Sequence, residues 1–368
     1  MPRSKIIGPQ GNLGRRNLFI NGKMEIDQRH EFASHTISSG SDFFADRWGF
    51  YSDGNATGQY GATTQVVDDA PSGFNKSLKW TTTSVSGSGI PATSEVIFRQ
   101  PIEGTNIKRI NYGTGQAQNL MLSFYVKSSV AGNYGLQCQF EDTNSDQNYI
   151  QRSYTISAAN TWERVNVSIP ANTTKVMKYQ DHTGAGFRVN WDLGEGATYS
   201  SAASNSWTQT YTNGLTGGVK IAEVNGATWQ ITGCQLEFGD IVTDFEHLSI
   251  GEELILCQRY FQIYGGYGTE HIQNGVMSTN RINVTKTFPV VMRTGPTLSG
   301  TLYGGQWSHW RIYAPPNGSP DVTGSTESYP SPRTHSFNLT HGSTTTAGNA
   351  GHAYISNANG RLSFSAEL

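Results

Sequence analysis

Charged side chains are scarce in this chain, 15% of 368 residues, and the two signs nearly cancel to a formal net charge of −2. No run of Lys and Arg exceeds the pair Arg15-Arg16. The basic stripe needed to neutralise a phosphate backbone is therefore missing, and nucleic acid is not expected as a partner. Long hydrophobic runs are missing too. Stretches such as Leu254-Ile255-Leu256-Cys257 fall far short of the ~20 apolar residues of a helical membrane span, so no membrane insertion is expected. The opening residues, MPRSKIIGPQGNLGRR, are charged without an apolar stretch and do not resemble a signal peptide, which disfavours ordinary secretion. Cysteine is rare. Cys138, Cys234 and Cys257 are odd in number and far apart, which argues against a disulfide framework and for reduced thiols buried in cores, as in a protein made in a cytoplasm.

What the chain has instead is turn formers and rings. Gly numbers 42, and Ser, Thr and Asn are abundant, while 8 Trp, 17 Tyr and 16 Phe supply large apolar surfaces. Many short strands joined by turns account for such a composition, so the fold class is all-β. The length exceeds what one core usually serves and suggests about two compact units.

Alternation of apolar and polar residues locates the strands. Leu120, Leu122, Phe124 and Val126 share one face, and after a turn at Ala131-Gly132-Asn133 so do Tyr134, Leu136, Cys138 and Phe140, which predicts a hairpin with one buried face. Val165, Val167 and Ile169 stop at Pro170; Phe187, Val189, Trp191 and Leu193 stop at Gly194. Trp229 and Ile231 are out of phase with Cys234, Leu236 and Phe238, and a β-bulge at Gly233 restores a single face. Such strands, mostly antiparallel, suit a two-sheet sandwich or jelly roll. One helix comes next: Ile250, Leu254, Cys257, Phe261 and Tyr264 recur at spacings of four and three, Ser249 with Glu252 forms a capping box, and Gly265-Gly266 ends it. The expected organisation is an arm at 1–15, a sandwich at 16–248, a connector helix at 249–266 and a second, smaller β domain at 267–368.

Catalytic chemistry is sought without success. The carboxylates Glu141, Asp142, Asp146, Asp181, Asp192 and Glu195 cannot be paired from sequence into the two-acid arrangement of glycan hydrolysis, and turn or strand-edge positions are the preferred reading. The nine His residues show no H-E-x-x-H and no zinc spacing, and neither G-x-S-x-G nor a phosphate-cradling loop occurs. No enzyme activity, catalytic residue, metal ligand or cofactor is assigned. Structural calcium is an alternative at the turn Glu141-Asp142-Thr143-Asn144-Ser145-Asp146, where a plain hairpin loop is preferred.

Rings in polar loops are more informative, because sugars stack on exposed indole and phenol faces. Trp207 and Tyr211 lie in SSAASNSWTQTYTNG, and Trp307, Trp310 and Tyr313 in GGQWSHWRIYAPPNG. Trp207, Tyr211, Trp307 and Trp310 are the glycan-contact candidates, set against packing onto a sheet or a neighbouring subunit. Arg47 beside Trp48 and Arg259 beside Tyr260 are expected to hold loops through bidentate hydrogen bonds.

The stretch WQITGCQLEFGDIVTDFEHLSIGEELILCQRYFQIY, Trp229 to Tyr264, resembles a group of bacteriophage virion and tail-fibre-like proteins that carry a carbohydrate-binding-module-like jelly roll. NLFINGKMEIDQR, ADRWGF, FRQPIEG, LSFYVKS, TWERVNVSIP and FPVVMRTGPTLSG are similar to shorter segments of that family; the residues before Asn17 and after Gly300 depart from it. The resemblance implies a jelly-roll β-sandwich, residence in the virion after synthesis in a host cytoplasm, and a fibre or tail-appendage subunit. Such a subunit would dock on other virion proteins through residues 1–15, form a homo-oligomer (a trimer by analogy) and face a host-surface glycan. A capsid or tail cement protein without an outside ligand is the alternative, and a glycan depolymerase comes after it. No sugar-binding residue is carried over from the family.

Overall fold

The computed structural model describes residues 15–37, 40–53, 56, 58–179, 182–266, 271–300, 306–313, 318–357 and 359–368. Nearly all of the arm expected at 1–15 lies outside these residues.

Two six-stranded antiparallel sheets face each other. The first runs, in spatial order, His35–Thr36, Tyr60–Val67, Ser77–Val85, Thr228–Phe238, Leu120–Ser128, Glu163–Ile169. Gly40–Phe43, Gly49–Ser52, Val96–Glu103, Ala185–Asp192, Gly132–Glu141 and Gln147–Ile156 make up the second. The all-β jelly-roll sandwich expected from alternation is present, because every second side chain of both sheets points into one core. Trp48 stacks on Phe98 with ring centroids 5.1 Å apart, and Phe98 meets Trp191 at 5.6 Å and Trp229 at 5.5 Å. All four are fully buried.

One expectation fails. Leu120–Ser128 and Gly132–Glu141 do not pair as a hairpin; the first joins Glu163–Ile169 and Thr228–Phe238, the second joins Gln147–Ile156 and Ala185–Asp192. The turn at 129–131 carries the chain from one sheet to the other. Two strands facing across a core have the same inward apolar pattern as two strands side by side, so alternation alone does not distinguish them. The bulge at Gly233 is observed, with the register shift between Thr232 and Gln235 and a left-handed φ of 61°.

Residues 17–29 fasten the sandwich to the helix and strands that succeed it. Asn17 donates Nδ2 to the Cys234 carbonyl (2.9 Å), Gln100 brackets the Ile20 backbone through both amide atoms, and Trp48 donates Nε1 to the Asn21 carbonyl (2.9 Å). The helix is Ile250–Gln258, opened by the capping box of Ser249 and Glu252. Its Cys257 packs with Ile20, Ile26 and Tyr260. The helix is shorter than expected: Arg259 caps it, and Phe261–Gly265 forms a strand paired with Arg361–Ser365. The rings that continue the helical spacing, Phe261 and Tyr264, thus alternate as strand residues.

The C-terminal unit is a second small β structure. A six-stranded antiparallel sheet is ordered Trp310–Tyr313, Ala350–Ile355, His271–Ser278, Arg281–Thr287, Thr334–His341, Val322–Pro330. Its core, with Trp310, Phe337, Leu339, Leu362 and Phe364, is separate from that of the sandwich. All three cysteines are free and buried, and burial pushes each thiol above its ordinary range. Among the described residues no helix is long and apolar enough to cross a membrane.

Candidate ligand-binding face

The strands of the second sheet bury one face and turn the other outward, and the register aligns the outward residues in rows. Arg99, Asn190, Gln137 and Gln151 form one row across four neighbouring strands; Pro101, Arg188, Gln139 and Tyr149 form the next. Amides and guanidiniums dominate where an ordinary solvent face would carry Lys, Glu and Thr. Asn190 donates Nδ2 to Gln137 Oε1 at 2.7 Å and to Gln139 Oε1 at 3.2 Å, which fixes the amides in a connected network.

The loop at 193–220 covers one half of this face. It pairs along the sheet edge, Thr208 exchanging backbone bonds with Tyr149, and then folds over so that Asn213 Oδ1 accepts from Asn190 at 3.1 Å. Tyr211 donates its hydroxyl to Glu95 and packs edge-on against Tyr149 and Tyr199, at 5.3 and 4.8 Å. Burial and the neighbouring carboxylate push the Tyr211 hydroxyl far above its ordinary pKa. Beneath the loop, Asp192 and Glu195 are fully buried; Asp192 Oδ2 accepts the Leu215 N–H at 3.1 Å. Burial raises Asp192 to about 7 and, with the charges of Asp192, Glu95 and Asp53 added, Glu195 to about 11.

The other half of the face is open. A cleft of about 300 Å³ is lined by Gln139, Glu141, Gln147, Tyr179, Arg188 and, from the C-terminal unit, Arg293. Tyr179 reaches it because Tyr179 and Gly184 settle on the turn at Gly104: Gly104 N–H donates to the Gly184 carbonyl at 2.9 Å, and a Cβ on Gly104 would overlap the Tyr179 carbonyl oxygen. Arg293 is held by carbonyls, Nε to Ala366 at 2.7 Å, Nη2 to Glu367 at 2.6 Å and Nη1 to Thr183 at 3.0 Å. Glu141 accepts from Lys178 and, at 3.3 Å, from Gln147 Nε2. Among the described residues the guanidinium of Arg188 makes no hydrogen bond and no ion pair. Burial lowers its pKa, as it does for Arg99, which repulsion from Arg188 helps bring to about 10.

The four candidate glycan contacts are scattered. Tyr211 alone overlies the described face. Trp207 plugs the sandwich edge: it packs against Phe140 at 5.1 Å and Tyr112 at 5.7 Å, and its Nε1 donates to the Pro170 carbonyl at 2.9 Å. Trp310 is 1% exposed in the C-terminal core, which leaves no indole face for a ligand, and half-buried Trp307 packs on the same core. On the outward side of that sheet Tyr313, 45% exposed, stacks on His352 at 5.0 Å, and His352 meets His271 at 4.7 Å.

Of the six carboxylates considered from sequence, only Glu141 lines the cleft; Asp181 lies outside the described residues. The calcium alternative is not supported at its turn. Asp142 is already surrounded, Oδ1 accepting from the Asn144 and Asp146 backbones at 2.9 and 3.1 Å and Oδ2 from Asn148 at 3.2 Å, with Lys175 Nζ at 3.3 Å. Among the described residues no three His, Cys, Asp or Glu side chains converge as metal ligands.

No protein-family model and no curated protein matches the chain. Solved structures overlap it in part. The enzymatically active domain of tailspike protein 4 from bacteriophage CBA120 is 13% identical, with a TM-score of 0.30 over 52% of this chain and 19% of that one. A xylan-binding domain of Xyn10C from Paenibacillus barcinonensis is 11% identical, with a TM-score of 0.29 over 59% and 98%. A putative sugar-binding protein from Bacteroides thetaiotaomicron is 12% identical, with a TM-score of 0.34 over 61% and 100%.

Proposed function

We propose that the chain is a non-catalytic structural and binding subunit of a bacteriophage particle, a fibre or tail appendage whose jelly roll offers a saccharide-binding cleft to the host surface. The observation that carries the binding part is the open half of the second sheet: the hydrogen-bonded amides of Gln139 and Gln147, the Arg188 guanidinium, unbonded among the described residues, and the ring of Tyr179 around one concave space. Sugars need this combination, since their hydroxyls pair with preorganised polar groups while their apolar faces lie on rings. The virion placement, docking through residues 1–15 and the trimer rest on the resemblance of Trp229–Tyr264 and the shorter segments to phage proteins.

Two measurements test it. Purified protein incubated with host surface polysaccharide should retain the polymer, and the polymer should keep its chain length; shortening would replace the binding role with a depolymerase. Antibody labelling of intact particles should find the chain on the outside, and an internal position would end the attachment role.

A further inference from the structure

We propose that the cleft takes an acidic saccharide, with the sugar's carboxylate seated on Arg188; this rests on the saccharide-binding reading above and names its ligand class.

Charge around the cleft is unbalanced. Lys178 and Glu141 pair with each other and cancel. Arg293 spends its N–H groups on three carbonyls, which satisfy its hydrogen bonds, and Glu103 and Glu367 offset part of its charge. Among the described residues Arg188 bonds neither a carbonyl nor a carboxylate, Glu141 attracting it from a distance, and it stands next to Gln139 and Pro101 on a sheet face where burial lowers its pKa. The nearby guanidinium of Arg99 is occupied by Ser41, with Nη2 to Oγ at 2.8 Å, and lies over the Tyr51 ring at 4.8 Å.

A partly desolvated cation that Glu141 attracts without bonding, Glu141 being held by Lys178, is costly to keep, and repulsion between Arg188 and Arg99 raises that cost. An incoming carboxylate relieves it and matches the planar fork of a guanidinium with two parallel bonds. Gln139 on the neighbouring strand and Gln147 one strand further on, both lining the cleft, offer amides to ring hydroxyls, and Tyr179 offers a ring face. A neutral sugar would leave the unpaired charge buried beneath it, so the site discriminates against neutral polymers by leaving a charge unmatched as well as by attraction.

The test is affinity electrophoresis and calorimetry with polygalacturonate, alginate and hyaluronate, each beside its methyl ester, and with a neutral β-glucan. The acidic form of at least one polymer should bind tenfold or more tighter than its ester. Arg188→Gln should remove that preference, and Arg188→Lys should restore part of it. The thermal midpoint of Arg188→Lys should match the parent and that of Arg188→Gln should equal or exceed it, because the charge is costly to bury and the side chain bonds nothing else among the described residues. Equal affinity for acid and ester, preference for the neutral glucan, or an Arg188→Gln variant that keeps the preference would overturn the acidic-ligand assignment alone. Failure to bind any of these polymers or the host polysaccharide would remove the saccharide reading as well.

Discussion

Arg259 grips Glu103 through two parallel bonds, Nε at 2.8 Å and Nη2 at 2.6 Å, across 156 residues of sequence. The hydroxyl of Tyr260 adds a third donor to the same carboxylate at 2.7 Å, and the Arg47 guanidinium lies 3.7 Å over the Tyr260 ring. One end of the sandwich strand Val96–Glu103 is thereby locked to the residues that close the helix. The two arginines singled out from sequence hold structure, as expected of them.

Glu103→Gln keeps the shape of that node and removes its charge. Arg259 would be left without its counter-ion beside a buried amide, a loss of roughly 2–4 kcal/mol. Urea unfolding should show the midpoint falling accordingly, while a variant as stable as the parent would show the node to be dispensable.

Trp207→Ala should act on stability. The side chain fills the sandwich edge against Tyr112, Phe140 and Phe187, and its removal from this half-buried site should cost about 2–3 kcal/mol. Saccharide affinity should stay within twofold, and Tyr179→Ala should show the reverse pattern. A binding defect at Trp207 without loss of stability would restore it as a ligand contact.

Gly233→Ala should weaken the bulge. The residue sits at φ 61°, and a Cβ there would come within 2.7 Å of the Phe74 ring and 3.0 Å of Tyr125. Strain and crowding together predict a loss of about 1–3 kcal/mol, read from thermal or urea unfolding.

Stability should decline as pH rises through the neutral range. Burial lifts Asp192 from 3.8 to about 7 and Glu195 from 4.5 to about 11. Between these values the unfolded chain has released protons that the folded chain still holds, so each rise in pH favours unfolding. The Asp192 contribution begins near pH 4 and is complete a little above 7, and that of Glu195 continues into alkali. Replacing both by Asn and Gln should gain on the order of 1–3 kcal/mol at pH 8 and little at pH 4. An unchanged pH slope in that double variant would show that neither carboxyl carries the effect.

Much of the fold is legible in the sequence because burial writes itself as alternation: Val165, Val167 and Ile169, or Phe187, Val189 and Trp191, need one inward face. The capping box at Ser249 is equally local. Sheet membership is not local, which is why Leu120–Ser128 and Gly132–Glu141 look like partners in the sequence. The candidate face escapes a reading of the sequence for a related reason. Arg188, Asn190, Gln137 and Gln139 occupy the polar phase of their strands, and polar phase ordinarily means water. Their signal is the choice of amide and guanidinium at successive outward positions, and it gains meaning only once the register sets them side by side. Trp207 misleads in the opposite direction, since a loop with little else apolar can still send one ring into the nearest core.

The pairing of Phe261–Gly265 with Arg361–Ser365 brings the two ends of the C-terminal unit to one spot, Phe261 opposite Ser365. A load entering through the helix and leaving near Leu368 would therefore pull this pair apart rung by rung, the weakest direction for an antiparallel ladder. The grip of Arg29 and Arg47 on Glu367, together with the bonds from Arg293 to the backbone of Ala366 and Glu367, stands directly in that line of pull. Under such a load it would act as a strain relief, with tension borne by the sandwich before the first rung opens.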